Sequence, residues 1–370
     1  MILISLLGSS VPAMIPVIFE FKDLITKHIF IFDDGKHEAN DVIQYQTALK
    51  RMKTEYHLSF EIVDISIDEI DKNSLQTTSN FITNLLQNNN EDIYLLTNEA
   101  PGHLTILFSS LVMKSGGCIL SYDKYDNNFT MLTNSTISTK KIENSLDIPT
   151  FMFLLQYEIE EALSKKDLIT DKEDVMYLFK EYTKFFNLRN ALIQGNEVEY
   201  LKYPHLLERL KTLSIIDKNY SILNKVRLSG GLFEEYIFWL VEPLGFDDIM
   251  LGVKMIFLEK HDIYVENEFD ILMMKDNHIY TIECKQKRIL EGLSFIYKYD
   301  ALISYFGEDA KAIIVNPSPV DKELYLDRKS SKNFNASNIL RALSNNIDIY
   351  HEDTIEPIKL QSQVKQFFSL

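Results

Sequence analysis

Cysteine is nearly absent. The chain of 370 residues has two, Cys118 and Cys284, far apart and without metal-like spacing. That excludes a disulfide framework and a Cys-rich zinc module, and it suits a reducing cytosol. Only 12 Gly and 9 Pro are present, which excludes fibrous and low-complexity chains. Positive charge is also short, with 38 Lys and Arg against 54 Asp and Glu for a net charge of −16. The mean field of such a chain repels phosphates, so contact with nucleic acid has to be local, metal-assisted or switched on. The 8 His form no HExxH or HxxxH spacing, so a zinc hydrolase lacks ligands. GxSxG, GxGxxG and GxxxxGK[ST] are all missing, which removes the nucleophile elbow, the dinucleotide fingerprint and the phosphate loop. No charge precedes Glu20, yet Met1–Phe19 has no basic start and is interrupted by Gly8, Ser9, Ser10, Pro12 and Pro16. It reads as neither signal peptide nor membrane span, and a soluble, cytoplasmic protein without membrane contact is expected.

The material for well-filled cores is there, with 46% hydrophobic and 12% aromatic residues. Over residues 1–135 short apolar runs alternate with helical stretches. Strands are expected at Ile2–Leu7, His28–Phe32, Phe60–Ile65, Ile93–Thr97 and Cys118–Tyr122. Helices are expected at Ala13–Leu24, Glu38–Tyr56, Ile67–Leu86 and His103–Met113. That order predicts an α/β, Rossmann-like parallel sheet with ligands beyond the carboxyl ends of its strands. Residues 136–228 read as a helical connector, with helices over Phe151–Leu163, Lys172–Leu188 and His205–Leu213. Its last part, Lys202–Arg227, carries Lys202, Arg209, Lys211, Lys218, Lys225 and Arg227 against Glu208 and Asp217. This stretch reads either as a solvated helix face with a hairpin or as a winged-helix-like fragment. Residues 229–370 run helix (Leu232–Val241), strand pair (Glu268–Met274, Ile279–Gln286), helix (Leu290–Phe306) and strand (Lys311–Val315).

The strand pair holds the chemistry. In NEFDILMMKDNHIYTIECKQK, residues 267–287, Asp276-Asn277 marks a two-residue turn between alternating runs. With that turn Lys275 opposes His278, Asp270 opposes Glu283 and Glu268 opposes Lys285. Carboxylates facing each other on a sheet repel unless something sits between them. A hard divalent cation reverses the sign, and Lys285 beside it suits hydrolysis of a phosphodiester. The competing reading is a charged face in water, with Lys285 paired to Glu268.

Asp270 followed by Glu283-Cys284-Lys285 resembles the D…ExK signature of restriction-endonuclease-like, PD-(D/E)XK nucleases. In that fold a helix before the hairpin adds an acidic residue, and GGLFEEYIFWL offers Glu234, with Glu235 its neighbour. With the Rossmann-like N-terminal part, GGLFEE, EFDIL, IECKQ and the FIYKYDAL of Phe295–Leu302, the whole chain is similar to the CARF–nuclease ancillary effectors of type III CRISPR systems. The resemblance implies a homodimer whose CARF domain binds a cyclic oligoadenylate, most often cyclic tetra-adenylate. Ser9, Ser10, Thr97, Asn98, Gly102 and His103 are the matching loop positions. It further implies a nuclease using Mn²⁺ or Mg²⁺ on Asp270 and Glu283, assisted by Glu234, with Lys285 positioning the attacking water. Its implied targets are single-stranded RNA and DNA, with nicking of duplex DNA. Glu99-Ala100-Pro101-Gly102-His103 departs from the family's frequent Gly-Gly-Thr-Lys-like loop, which leaves the ring size of the ligand open. Two other readings stand beside it. One is a constitutive restriction- or repair-type nuclease, and the other is a non-enzymatic nucleotide-sensing regulator with a silent nuclease fold.

Overall fold

The computed structural model describes residues 1–7, 14–32, 39–66, 80, 83–84, 91–98, 100–123, 126–257, 265–286, 292–304, 306–307, 310–317, 336–350 and 356–370. They divide into two compact units, Met1–Glu158 with Phe257, and Ile159–Ile256 with Val265–Leu370. Among the described residues no helix is long and apolar enough to cross a membrane.

The first unit is built on β1 (Ile2–Leu6), β2 (Lys27–Phe32), β3 (Glu61–Ser66), β4 (Ile93–Leu96), β5 (Cys118–Asp123), β6 (Asn128–Leu132) and β7 (Ile137–Lys141). Its helices are α1 (Ile15–Glu20), α2 (Ala39–Glu55), α3 (Gly102–Lys114) and α4 (Ile148–Leu154). The strands order as β3-β2-β1-β4-β5-β6-β7, parallel from β3 to β5 and antiparallel thereafter. Ile2, Ile4, Leu6, Ile29, Ile31 and Leu95 form one core with Leu104, Phe108 and Val112 of α3. Continuous apolar strands of this kind mark a parallel sheet covered on both faces. β1 has β2 on one side and β4 on the other, so the strand order reverses direction between β1 and β4. The loops leaving their carboxyl ends flank the position where such sheets hold ligands.

β6 was not among the expected strands, and two further features of this region differ from the expectation. The helix expected over Phe151–Leu163 ends at Leu154. Gln156 then takes a φ of 71°, and Tyr157–Ser164 becomes β8, at one end of the second unit's sheet. Helical spacing of apolar residues there lost to a ladder partner remote in sequence, which local propensity does not see. β7 was also not anticipated, because Ile137–Lys141 is exposed along its whole length and carries no period-two burial. Its place comes from five consecutive pairs with β6.

The second unit carries β8, β9 (Asp248–Phe257), β10 (Val265–Lys275), β11 (His278–Cys284), β12 (Lys311–Val315) and β13 (Ile347–Tyr350), in the order β13-β12-β11-β10-β9-β8. Its longer helices are α5 (Lys172–Lys180), α6 (Tyr182–Gln194), α7 (Pro204–Thr212), α8 (Leu232–Val241), α9 (Gly292–Ser304), α10 (Ala336–Ser344) and α11 (Pro357–Phe368). One continuous core joins α5, α6, α7, α8 and α11 to Ile271, Met273, Ile282, Cys284, Ile313 and Val315. Phe269 instead packs against Tyr299 and Phe306, and Tyr299 and Thr281 hydrogen-bond at 2.8 Å, which docks α9. The hairpin register is the expected one, running from Lys275↔His278 to Ile271↔Ile282. Asp276 and Asn277 have φ of 49° and 63°, the left-handed pair that a two-residue turn between twisted strands requires.

Candidate active site

The approach to α8 prepares a place for one carboxylate. Residues Arg227–Gly231 form a widened π turn that runs directly into α8, a distortion found often at functional sites. A Cβ on Gly230 would stand 3.1 Å from Glu234 Oε1, so the missing side chain leaves room for that carboxylate. The adjacent Glu235 has a different fate. It is 4% exposed and takes a two-point contact from Arg227, Nε to Oε1 at 2.5 Å and Nη2 to Oε2 at 2.7 Å. Arg227 also donates to Asp171 Oδ2 at 2.6 Å. Of the two glutamates in GGLFEE, one is a neutralised structural partner and the other is left to the site.

Glu234, Asp270, Glu283 and Lys285 come together at the end of the hairpin. One residue beyond the Ile271↔Ile282 pair, the Asp270 carboxylate accepts the Cys284 N–H at 2.6 Å. Lys285 Nζ is 3.9 Å from Asp270 Oδ2 and is hydrogen-bonded to Glu283 Oε1. The pairing of Lys285 with Glu268 that a solvated face would show is replaced by these two contacts. Glu268 is exposed, though its charge acts on Glu234, Asp270 and Glu283.

One ammonium therefore faces three carboxylates, those of Glu234, Asp270 and Glu283. Burial, with Asp270 next, lifts Glu234 to about 8, and burial, again with Asp270, lifts Glu283 to about 7. Asp270 is raised by burial as well, against the pull of Lys285 and of the Cys284 N–H. Burial pulls the Lys285 ammonium down, but Glu283 and Asp270 outweigh it, so its pKa ends above the ordinary lysine value. Carboxyl groups held proton-loaded near neutral pH are the expected state of an acidic site short of positive charge.

Among the described residues no three His, Cys, Asp or Glu side chains are arranged as a ready metal-binding set. The donor chemistry nonetheless fits a hard divalent cation. All the donors are carboxylate oxygens, and added positive charge relieves the repulsion that raises their pKa values.

The loops of the first unit give a mixed answer. Ser9 and Ser10 lie outside the described residues, as does Glu99. Thr97 and Asn98 both serve the end of the sheet. Thr97 N–H donates to Leu120 O at 3.1 Å. The Asn98 amide accepts from Tyr122 N at 2.8 Å and donates to Tyr122 O at 2.7 Å. Gly102 and His103 are exposed at the start of α3, where Pro101 caps the helix without a side-chain hydrogen bond. The first-turn N–H groups of α3 are thus free of a side-chain cap at the carboxyl edge of β4.

In the basic stretch Lys202 pairs with Glu199, Arg209 with Asp174, Lys211 with Glu208, and Arg227 with Asp171 and Glu235. Leu206, Leu207 and Leu210 turn the other face of α7 into the core, and Ile216 bridges Ile222 in a short hairpin. Lys218 and Lys225 are exposed, so the stretch is a helix face and hairpin with four of its six cations paired.

Arg189 escaped the sequence reading. It follows Leu188 on α6 and shares the buried stripe of Phe185, Leu188 and Leu192, and its Nη1 donates to Gln286 Oε1. An arginine at a stripe position was the available signal.

Residues 223–321 match the family model of the Card1-like endonuclease domain. The match spans α8, the hairpin, α9 and β12, with Glu234, Asp270, Glu283 and Lys285 all inside it. The chain thus has a Rossmann-like unit and, in residues 223–321, a segment similar to the Card1-like endonuclease domain. Protein VC1899 from Vibrio cholerae matches 100% of this chain over 98% of its own, with 14% identity and a TM-score of 0.74. Can2 from Sulfobacillus thermosulfidooxidans, solved in complex with cyclic tetra-adenylate, matches 99% of this chain over 96% of its own, with 14% identity and a TM-score of 0.68. At that identity the likeness is one of fold, and it extends over both units. No curated protein matches the sequence.

Proposed function

We propose that this protein is a cyclic-oligoadenylate-activated, metal-dependent endonuclease of type III CRISPR defence. It would cut single-stranded RNA and DNA and nick duplex DNA. The observation that carries the reading is the convergence of Glu234, Asp270 and Glu283 on one lysine inside the segment that matches the Card1-like endonuclease domain. Asp270 and Glu283 are the residues to hold Mn²⁺ or Mg²⁺, and Glu234 assists them. When bound, the cation supplies Lewis-acid polarisation of a phosphoryl oxygen. Lys285 orients the attacking water and balances the charge developing on the phosphate. The Cys284 N–H keeps Asp270 turned toward the hairpin end, and the packing of α9 keeps bulk water from that side of Thr281.

The first unit supplies the control. Two such chains, related by a two-fold axis, present the same loops to a two-fold symmetric cyclic tetra-adenylate. The fold shared with Can2, the reversal of strand order between β1 and β4 and the uncapped start of α3 support that placement. Thr97 and Asn98 then act by holding the loop, while Gly102 and His103, with Ser9 and Ser10 as the family resemblance implies, are the residues to bind the ligand. With a net charge of −16, affinity for a strand is low at rest, and the ligand shifts the population toward a state that engages it.

The test is cleavage of labelled single-stranded RNA and DNA with Mn²⁺, with and without cyclic tri-, tetra- and hexa-adenylate, for wild type and Glu283→Ala. Ligand-dependent cleavage that is lost in the variant is the expected result. Cleavage without ligand makes the protein a constitutive nuclease, and no cleavage under any condition makes it a silent sensor.

A further inference from the structure

Arg189 lies on the buried stripe of α6 and is 7% exposed. Its Nη1 donates to Gln286 Oε1, and its guanidinium carbon is 5.3 Å from the centre of the Phe186 ring. Its Nε is buried with no hydrogen-bond partner among the described residues. Among the described residues no carboxylate pairs with it, whereas Arg227 has Glu235 and Asp171, and Arg209 has Asp174. Burial accordingly pulls the Arg189 pKa below the ordinary arginine value. A buried cation without a counter-ion is a standing cost to the fold, and a neutral residue at a stripe position would remove it. Its hydrogen-bond partner among the described residues, Gln286, follows Lys285 directly, so the guanidinium stands beside the end of β11 that bears Glu283 and leads into Lys285.

We propose that Arg189, oriented by Gln286, is a substrate-binding residue that grips a phosphate of the nucleic-acid strand next to the one being cut. This deepens the endonuclease reading and rests on it. The guanidinium fork suits a phosphate, with the flat Phe186 ring stacked against it and Gln286 leaving its other N–H groups to the anion. Anchoring one phosphate beyond the scissile one positions the strand without taking part in bond cleavage. The fold tolerates the unpaired charge because the counter-ion arrives with the substrate.

The experiment uses the full-length chain with cyclic tetra-adenylate. Binding of a labelled single-stranded oligonucleotide is followed by fluorescence anisotropy over a salt series, in a Glu283→Gln background that blocks turnover. Steady-state cleavage is measured without that background change, and Tm for every variant. Arg189→Met is expected to bind the strand about tenfold or more weakly. Its slope of log K against log salt should be shallower by about 0.7, the release of one phosphate contact. KM rises more than kcat falls, and Tm stays level or rises. Arg189→Lys restores the slope but only part of the affinity. Gln286→Glu, which gives Arg189 a counter-ion within the protein, raises Tm and weakens strand binding. A lower Tm with unchanged slope and KM in Arg189→Met makes the residue structural and overturns the proposal. So does a Gln286→Glu variant that binds as wild type does. A wild type that neither binds nor cleaves any strand overturns the endonuclease reading, and the grip falls with it.

Discussion

Glu234 and Glu235 are neighbours of the same chemical type, yet substituting them by Gln should move stability in opposite directions. Glu235 meets Arg227 through two contacts of 2.5 and 2.7 Å with only 5% of its side chain exposed. Breaking a buried pair of this kind costs about 3–5 kcal/mol. Arg227 keeps Asp171 at 2.6 Å and Leu213 O at 3.2 Å, so Glu235→Gln falls at the low end, about 3 kcal/mol. Glu234 has the reverse sign. Its carboxyl is raised from 4.5 to about 8, first by burial and then by Asp270. The stabilisation that goes with its retained proton is complete below pH 4.5 and is lost as pH rises toward 8, because the unfolded chain ionises there and the folded one does not. At about 1.36 kcal/mol per unit, the rise from pH 4.5 to 7 costs the metal-free protein on the order of 3 kcal/mol at this group. Gln carries no charge at any pH. Glu234→Gln is therefore expected to be more stable than wild type by about 2–3 kcal/mol at pH 7 and equal to it at pH 4. Urea denaturation followed by the fluorescence of Trp239, the single tryptophan and a buried residue of α8, reads the unit concerned. Cleavage should be lost in Glu234→Gln and kept in the folded fraction of Glu235→Gln. A destabilised Glu234→Gln at pH 7, or a Glu235→Gln that costs under about 1 kcal/mol, would refute the assignment of the two roles.

The same arithmetic applies to metal. Mn²⁺ competes with protons for Asp270 and Glu283, so its addition should raise Tm strongly at pH 8 and little at pH 5; equal shifts at both values would place binding elsewhere. Asn98→Ala removes both hydrogen bonds to the Tyr122 main chain, at a cost of about 1–3 kcal/mol. Calorimetry with cyclic tetra-adenylate should show weakened binding, and an unchanged affinity would separate this loop from the ligand. Gly230→Ala puts a Cβ 3.1 Å from Glu234 Oε1, and the carboxylate has to give way by a few tenths of an ångström. Thermal denaturation and cleavage assays should show stability unchanged or raised by about 0.5 kcal/mol and cleavage reduced severalfold, whereas full activity would mean that Glu234 has room to spare.

Much of this architecture was legible in the sequence. The strands β1 to β5 and the Leu232–Val241 helix stand where periodicity and Val/Ile/Leu content put them, because both are local signals. Asp276-Asn277 fixed the hairpin register, since a two-residue turn leaves one way for the flanking residues to pair. β7, β8 and β9 were not legible. β7 is a fully exposed edge strand held only by its hairpin partner β6, while β8 has the spacing of a helix and takes its form from β9, a neighbour distant in sequence.

The sequence by itself determined which carboxylates and which lysine the hairpin carries, and that Asp270 and Glu283 lie one register step beyond its last tight pair. It also determined a parallel sheet that ends in the loop at Thr97 and Asn98. Only the tertiary structure decided which glutamate of GGLFEE is left for the site, because Arg227 and Asp171 reach Glu235 through the fold and not along the helix. It alone decided that both arginines of the basic run are paired, since Asp174, which pairs with Arg209, and Asp171, which pairs with Arg227, lie far from that run in the chain. It alone left Arg189 buried with a neutral partner. The physical reason is common to all three. Chain-local patterns set backbone form, whereas the state of a charge depends on which other charges folding brings within a few ångströms of it.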